Sequence, residues 1–326
     1  MARALPLPAA AERVRSTSER ALAQLRVVRE VASVLEGAGV PWMLWKGPAL
    51  MKQAWDDATL RVSGDLDVVV LPADRDRARA ALGAAGWAAA EGLSPAQERV
   101  IHATTRAYPL LRGAGEMIEL HWAFAGAQYP EWADVAAVMA RAELVSLAGV
   151  TVRTPGGADA LLLLALHATK HGWSQADEVV TFAKLTERSD VRGLDLYMRA
   201  VEAGAQQAVE LAWELASILM PLEGDTARDG AGASFRFRAP IVGSSAAAGE
   251  CIARMCAGAG AWRETHAWTL SWMQRRGDRL HYWFAALFAP TPQESNWVRL
   301  PAALAFAYPL VRLARLTLRA AGLVRR

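Results

Sequence analysis

The chain has 326 residues, of which 53% are hydrophobic and 21% are charged, so it can bury a sizeable core in one or two domains and is not typical of a disordered protein. Its net charge is +3, and six arginines with no acidic residue follow Glu294. The basic character therefore belongs to the C-terminal end, which argues against a nucleic-acid-binding body.

Several other classes of protein are disfavoured by simple patterns. No run of about 18 apolar residues and no apolar leader segment occurs in the sequence, as a membrane span or a signal peptide would require. Cys251 and Cys256 are five residues apart, which fits neither a CxxC redox pair nor a zinc knuckle. We therefore expect a soluble cytoplasmic protein with two free thiols.

The N-terminal segment predicts one long helix. Residues 1–18 are rich in alanine, proline and arginine, and we expect them to be loosely ordered. From Ser18 to Glu36, leucine and valine recur with a period close to 3.6 residues, which indicates a helix. Gly37 and Gly39 should end it.

The stretch from Pro41 to Val70 is the most informative part of the chain. It predicts a short apolar strand that ends at Lys46-Gly47, a helix from Pro48 to about Trp55, a polar loop and a second strand that begins at Asp65. Asp65 and Asp67 are two residues apart, so on a strand both side chains leave the same face. Neighbouring carboxylates repel each other unless a cation lies between them, and Mg²⁺ prefers carboxylate oxygen.

The next elements alternate between helix and strand. A helix is predicted from Arg75 to Ala85, and strands are predicted from Trp87, over Ala107–Leu111 and over Glu116–Trp122. Residues 91–115 otherwise read as an amphipathic or loop segment. On the last of these strands Glu119 and His121 share one face. The alternation predicts an α/β (α+β) fold with a mixed sheet.

Beyond residue 123 the pattern becomes mostly helical. We expect a helix over Glu131–Val145, a small hairpin over Val145–Arg153 and an apolar helix from Ala160 to about Gly172, followed by helices over Leu194–Gly204 and Gln206–Leu219. Residues 223–250 are rich in glycine, alanine and serine and are the best candidate for a linker, with residues 234–238 as a short extended piece.

Two features of these helical regions remain open. His167 and His171 lie one turn apart, a spacing that favours packed or hydrogen-bonded histidines over a zinc site, since Ala168 stands where a zinc protease has glutamate. A substrate-facing role, with Lys170 supplying a point charge for phosphate, is the other alternative. The last helix, which should begin near Pro301 or Pro309 and end at Leu323, sets leucines against arginines 312, 315 and 319. Packing on the body with a solvated arginine face is the favoured interpretation; a partner protein or an anionic membrane surface are the alternatives.

Several motifs together resemble a known family. They are Lys46-Gly47, Arg61, Gly64-Asp65-Leu66-Asp67, Glu119-Leu120-His121-Trp122 and the segment from His167 to Trp173. These motifs are similar to those of a bacterial family usually labelled uncharacterised nucleotidyltransferase, within the superfamily of the DNA polymerase β type. Members are often found beside genes for natural-product biosynthesis. The superfamily has Gly-Ser where this chain has Gly47-Pro48, and where the family has a later acidic residue this chain has Thr181, with Asp177 and Glu178 nearby.

The resemblance implies a division of the chain and a set of site residues. It implies a nucleotidyltransferase core over residues 1–123, with an N-terminal helix, and a helical region over residues 124–326. Asp65, Asp67 and Glu119 would be the catalytic residues and would hold Mg²⁺ or Mn²⁺, with Glu119 on a strand adjacent to the other two. The residues expected to bind the nucleotide are Lys46, Gly47, Arg61, Ser63, Gly64 and Lys170.

These expectations lead to one leading hypothesis. The chain would be a metal-dependent enzyme that moves a nucleotidyl group, or a related phosphate-linked group, from a nucleoside triphosphate such as ATP to a small-molecule or peptide acceptor in natural-product biosynthesis. Two alternatives belong to other classes. A non-catalytic nucleotide sensor or scaffold is favoured by Gly47-Pro48, and an antitoxin-like protein would form a stable complex with a second chain.

Overall fold

A computed structural model describes residues 7–89, 92–113, 115–188, 193–220, 227–228, 234–235, 244–257 and 266–323. A mixed five-stranded sheet with flanking helices forms the first part of the chain, and helices form most of the rest. The predicted α/β class is confirmed.

The sheet has the spatial order β1-β2-β5-β4-β3. Strand β2 runs parallel to β5, and the other neighbours are antiparallel. All five residues of β2 are buried, which suits its β-branched sequence. The strands are β1 (Trp42–Leu44), β2 (Leu66–Val70), β3 (Ala88–Ala89), β4 (Ala107–Arg112) and β5 (Glu116–His121).

Four helices accompany this sheet, and one hydrophobic cluster joins the first of them to it. Val28, Val31 and Leu35 of the first helix pack with Val68 and Val70 of β2. The apolar period read from the sequence is therefore the face that the helix buries. The helices are α1 (Leu7–Gly37), α2 (Gly47–Trp55), α3 (Arg75–Ala84) and α4 (Pro95–Thr105).

The second part of the chain is built around the buried helix α6, whose residues from Ala158 to Leu166 are all buried. The helices in this part are α5 (Val135–Ala140), α6 (Gly157–Lys170), α7 (Ala176–Thr186), α8 (Gly193–Ala203), α9 (Gln206–Leu219), α10 (Ser244–Ala257), α11 (His266–Trp272), α12 (Arg276–Phe288), α13 (Pro292–Trp297) and α14 (Tyr308–Ala320). The strands are β6 (Glu143–Leu147) and β7 (Val150–Thr154), which form a hairpin, and the short pair β8 (Ala227–Arg228) and β9 (Ser234–Phe235).

Side chains from both parts share a second hydrophobic cluster. It contains Trp45 and Leu50 beside Leu161, Phe182 and Leu215. The division of the chain at residue 123 stays a prediction, and most of the linker predicted over residues 223–250 lies outside the described residues.

Two local predictions were wrong. Helix α1 begins at Leu7 rather than Ser18, because the alanine-rich segment before Ser18 has a high helix propensity. The helix predicted over residues 131–145 is only Val135–Ala140, since Asp134 caps its start and the chain enters β6 at Glu143. Of the two alternatives for the segment after residue 91, amphipathic or loop, the structure has the first over residues Pro95–Thr105, a regular helix that starts with a capping box at Ser94.

The arginines of the last helix were expected to face solvent, and the structure differs from this expectation. Helix α14 packs against α12 and α13, as the favoured interpretation required. However, Arg312 and Arg315 turn inward to the carboxylate of Glu294, which is fully buried. Arg319 and Leu310 face solvent. Contact of this outer face with a partner protein or an anionic membrane stays a prediction.

Two smaller expectations can be compared with the structure. Both cysteines are free: Cys251 is buried and Cys256 is exposed. Among the described helices, none combines the length and the apolar character needed to cross a bilayer.

Candidate active site

Two acidic side chains meet where the parallel strands β2 and β5 lie side by side. Asp67 pairs with Glu119 in the register of these strands, so their side chains leave the same face of the sheet. Asp65 immediately precedes β2, and Gln24 of α1 donates a hydrogen bond of 2.8 Å to its carbonyl oxygen. The structure thus places the three predicted carboxylates at one edge of two neighbouring strands.

Two cationic side chains approach these carboxylates. The Nζ atom of Lys46 lies 3.2 Å from Oδ1 of Asp67, and Nε2 of His121 lies 2.9 Å from the same oxygen. Nε2 of His121 also lies 3.2 Å from Oε2 of Glu119. The imidazole therefore bridges the two carboxylates, a role that the sequence analysis did not assign to it.

The pKa values reflect this crowding of charge. Burial, together with the negative charges of Asp67 and Glu119, raises the pKa of Asp65. Burial would also raise the pKa of Asp67, but Lys46 and His121 outweigh it and hold that pKa below its ordinary value. The hydrogen bond from His121 lowers the pKa of Glu119. At neutral pH the cluster therefore keeps at least two ionised carboxylates.

These donors suit a divalent metal ion. Ligand atoms of Asp67, Glu119 and His121 lie within 4.8 Å of one another, and in the described part of the chain no other group of three or more such residues does so. Asp65 stands next to the group, and the repulsion that raises its pKa is the kind that a cation relieves. Carboxylate oxygens are the ligands that Mg²⁺ and Mn²⁺ prefer, and the imidazole of His121 could join them only in its neutral form.

A cavity of about 320 Å³ opens on one side of Asp67. Five of the six residues predicted to bind nucleotide line it: Lys46, Gly47, Arg61, Ser63 and Gly64. Arg61 is held there by an ion pair with Asp177, whose Oδ2 atom lies 3.0 Å from Nε of the arginine. The structure therefore gathers these residues around one space.

The backbone at Lys46 and Gly47 is unusual. Lys46 has a φ of 66° and precedes the first turn of α2, and Gly47 has a φ of 51°. A β-carbon at Gly47 would lie 3.2 Å from Oγ of Ser63, so glycine suits both the dihedral angles and the close approach. Because Pro48 has no N–H, the start of α2 offers one donor fewer than a helix without proline.

A larger cavity of about 610 Å³ lies on the other side of the carboxylates. Lys46, Asp65 and His167 line both cavities, so the two spaces meet at the carboxylate cluster. Lys170, which was predicted to bind phosphate, lines the larger cavity and not the one around Arg61. Of the other five predicted nucleotide contacts, only Lys46 shares a cavity with Lys170.

His167 packs against both His171 and Trp45. The two imidazole rings are 4.6 Å apart, and the ring of His167 lies 5.8 Å from that of Trp45. Burial lowers the pKa of His167 well below its ordinary value and that of His171 to about 4. Both rings are therefore neutral at pH 7, as the packing interpretation favours.

Glu178 is a second residue near the site that sequence reasoning did not select. It is buried on α7, lines the 320 Å³ cavity, and its Oε2 atom has no hydrogen-bond partner among the described residues. Burial raises its pKa to about 7, against the opposing effect of Arg61. The sequence did contain one signal for Glu178. The family has an acidic residue where this chain has Thr181, and Glu178 lies about one helical turn before that position.

We expect Glu178→Gln to stabilise the protein at alkaline pH. The raised pKa means that the folded state holds the proton more tightly than the unfolded state, so native stability falls as the pH rises toward about 7. Glutamine lacks this penalty, and the variant should be more stable by roughly 1–3 kcal/mol at pH 8. Urea unfolding at pH 8 and pH 4.5 would measure the difference. The exposed control Glu202→Gln should show none, and an equal gain at both pH values would refute the assignment.

Comparison with known proteins now decides the family. A family model described as "Uncharacterised nucleotidyltransferase" matches residues 5–221. The chain belongs to this family. The match covers the sheet, the carboxylate cluster and the helices through α9, and it confirms the prediction of a nucleotidyltransferase.

Other comparisons add less. The search of curated proteins found no match. The solution structure of "Antibiotic-Resistance Factor ANT(2'')-Ia" is similar at 15% identity and a TM-score of 0.33, over 59% of this chain and 89% of that one. A TM-score this low carries no argument.

Proposed function

We propose that this nucleotidyltransferase moves a nucleotidyl group from a nucleoside triphosphate to a small-molecule or peptide acceptor in a metal-dependent reaction. The observation that carries the proposal is the pairing of Asp67 with Glu119 on parallel strands, between two cavities that meet at the carboxylates. A donor and an acceptor need two such spaces that share one reaction centre. An acceptor from natural-product biosynthesis remains an expectation of the family resemblance.

The 320 Å³ cavity is the proposed site for the triphosphate. Lys46 and Arg61 supply positive charge, and Gly47, Ser63 and Gly64 allow phosphate oxygens to approach the backbone. Lys46 is paired with Asp67 in this structure, so its ammonium group is already within reach of the reaction centre. Lys170, across the carboxylates, is placed to act on the acceptor or on the departing phosphates.

The proposed reaction is an in-line displacement at the α-phosphorus. An acceptor oxygen forms a bond to that phosphorus, the bond to the bridging β-oxygen breaks, and pyrophosphate leaves with the electron pair. Glu119 takes the acceptor proton, and Asp65, Asp67 and Glu119 would hold the metal ion. When bound, Mg²⁺ or Mn²⁺ lowers the pKa of the attacking hydroxyl and neutralises charge on the phosphates.

One observation favours a second candidate, a nucleotide sensor or scaffold without turnover. Pro48 removes a donor from the start of α2, and no side chain caps that helix start. The weaker anion site would bind a nucleotide without orienting its phosphates for transfer. The antitoxin-like alternative predicts instead a stable complex with a second protein.

The deciding experiment is release of pyrophosphate with each of the four nucleoside triphosphates, with acceptors supplied by a small-molecule cell extract. We expect release with a preferred nucleotide in Mg²⁺ or Mn²⁺ and none with EDTA. Nucleotide binding that is insensitive to extract and never yields pyrophosphate would favour the sensor. Neither binding nor release, together with co-purification of one protein at a fixed ratio, would favour the partner-protein alternative.

A further inference from the structure

The 610 Å³ cavity is lined by aromatic side chains on the side away from the carboxylates. Among them are Phe124, Tyr129, Trp132 and Tyr282. A space of this size takes a molecule of several rings, and aromatic walls favour a planar apolar group.

The charges in this cavity are arranged asymmetrically. Among its lining residues the acids are Asp65 and Glu119, and both belong to the carboxylate cluster. The remaining walls carry Lys170 and Arg312. The charge of Arg312 is balanced by Glu294, and the ammonium of Lys170 lies 5.5 Å from the centre of the Tyr129 ring. Among the described residues, no acid outside the carboxylate cluster lines the cavity, so they offer a polycationic ligand no counter-charge once a metal ion holds the carboxylates.

Two wall residues have polar atoms in need of partners. Nε1 of Trp132 and Oε1 of Gln128 are both buried, and neither has a hydrogen-bond partner among the described residues. Neither atom is exposed to the cavity in this structure, so a ligand group reaches it only when the side chain turns; the hydrogen bond then formed adds affinity, because an unpaired buried donor or acceptor is costly. One donor and one acceptor suit a hydroxyl or a carbonyl better than an ammonium group, which can only donate.

The outer wall comes from beyond the family match, which ends at residue 221. Tyr282, Ala285, Ala286 and Ala289 of α12 and its following turn line the cavity. Small alanine side chains leave the space open there, while Leu287 on the same helix is exposed to solvent. A change in α12 can therefore alter the cavity without touching the carboxylates.

We infer that this cavity binds an uncharged or anionic acceptor with a planar apolar ring and a hydroxyl group, and that α12 selects this acceptor. The inference rests on the proposed function in treating the ligand as the acceptor and in the metal ion that holds the carboxylates, whereas the ring and the hydroxyl follow from the cavity walls. The hydroxyl pairs with Gln128 or Trp132, and the ring lies against Tyr129 and Tyr282.

Three matched probes test the ligand class directly. They are 2-naphthol, 6-hydroxy-2-naphthoate and 6-(aminomethyl)-2-naphthol, which share a ring and a hydroxyl and differ in charge. Their dissociation constants are measured by ligand-observed NMR with the full chain in Mg²⁺ and without nucleotide. We expect the neutral and anionic probes to bind at least about tenfold more tightly than the cationic one.

Four variants test whether 2-naphthol binds in the 610 Å³ cavity. Ala286→Trp, which fills the cavity, should abolish binding of 2-naphthol, and Leu287→Trp on the exposed side of α12 should leave it unchanged. Gln128→Met should weaken binding by about tenfold. Gln206→Met is its matched control, since Gln206 also has a buried unpaired Oε1 atom but does not line the cavity. If Ala286→Trp fails to fold, the Gln128 and Gln206 pair still decides the question.

The outcomes separate this inference from the proposed function. Equal binding of the cationic probe, or equal losses in the Gln128 and Gln206 variants, overturns the inference even if pyrophosphate is released with cell extract. Selective binding that Ala286→Trp abolishes supports the ligand class even if pyrophosphate is never released, in which case the transferase proposal alone fails.

Discussion

Replacing Asp67 with asparagine should lower pyrophosphate release by about a thousandfold, an effect at the upper end of those seen when one charge-stabilising group is removed. Asparagine keeps the shape of the side chain but removes the negative charge that faces Lys46 and His121. A neutral oxygen is a weaker ligand for a hard cation. We therefore also expect Mn²⁺, followed by electron paramagnetic resonance, to bind at least about tenfold more weakly.

The control for this variant is Asp56→Asn. Asp56 is exposed, precedes the polar loop and has a φ of 56°, a conformation that asparagine tolerates. Its release rate and Mn²⁺ affinity should match those of the native protein. Since Asp67 is buried beside two cations, thermal unfolding must show that Asp67→Asn remains folded. A folded Asp67→Asn protein with native release would rule out a catalytic role for the carboxylate cluster.

The strands of the candidate site were predictable because their signals are local. A β-branched run follows Asp67, and period-2 alternation surrounds Glu119, so each strand could be located from its own sequence. That β2 and β5 are neighbours follows from no local pattern. Their adjacency was implied only by the family resemblance, and the register that pairs Asp67 with Glu119 confirms it.

The parts that sequence reasoning missed depend on contacts between distant segments. The alternation showed that His121 shares a face with Glu119, but not that its ring turns back to Asp67 on the next strand. Glu178 is buried because α7 packs against α2, more than 120 positions earlier in the chain. The placement of Arg61 and Lys170 in different cavities likewise depends on tertiary packing, which propensities and periods do not encode.

The inward orientation of the C-terminal arginines also depends on contacts between distant segments. It leads us to predict a large loss of stability when their carboxylate partner is removed. Glu294 is fully buried and accepts hydrogen bonds from Arg315 at 2.6 Å and from the backbone N–H of Thr291 at 2.6 Å. Arg312 adds a longer contact of 3.4 Å. Glu294→Gln can still cap α13, but it leaves both guanidinium groups without a counter-charge. We expect the free energy of unfolding to fall by about 3 kcal/mol.

The pH dependence of the same pair gives an independent check. Burial would raise the pKa of Glu294, but hydrogen bonds from Thr291 and the two arginines outweigh it and lower the pKa. The carboxylate therefore stabilises the folded state above its ordinary pKa, and this contribution is lost as the pH falls through the lowered folded-state value. Urea unfolding should show a gap between native and variant at pH 7 that narrows toward pH 3.

A control variant and hydrogen exchange test the predicted loss of stability further. Glu250→Gln removes a carboxylate from an exposed pair with Arg254 and should cost less than about 1 kcal/mol. Hydrogen exchange in Glu294→Gln should speed up most in α13 and α14, because these helices are the elements that the buried carboxylate joins. Arg312 lines the 610 Å³ cavity, so loosening it should also weaken 2-naphthol binding while metal binding at Asp67 persists. An unchanged free energy of unfolding at pH 7 would mean that solvent or other groups already balance the two arginines.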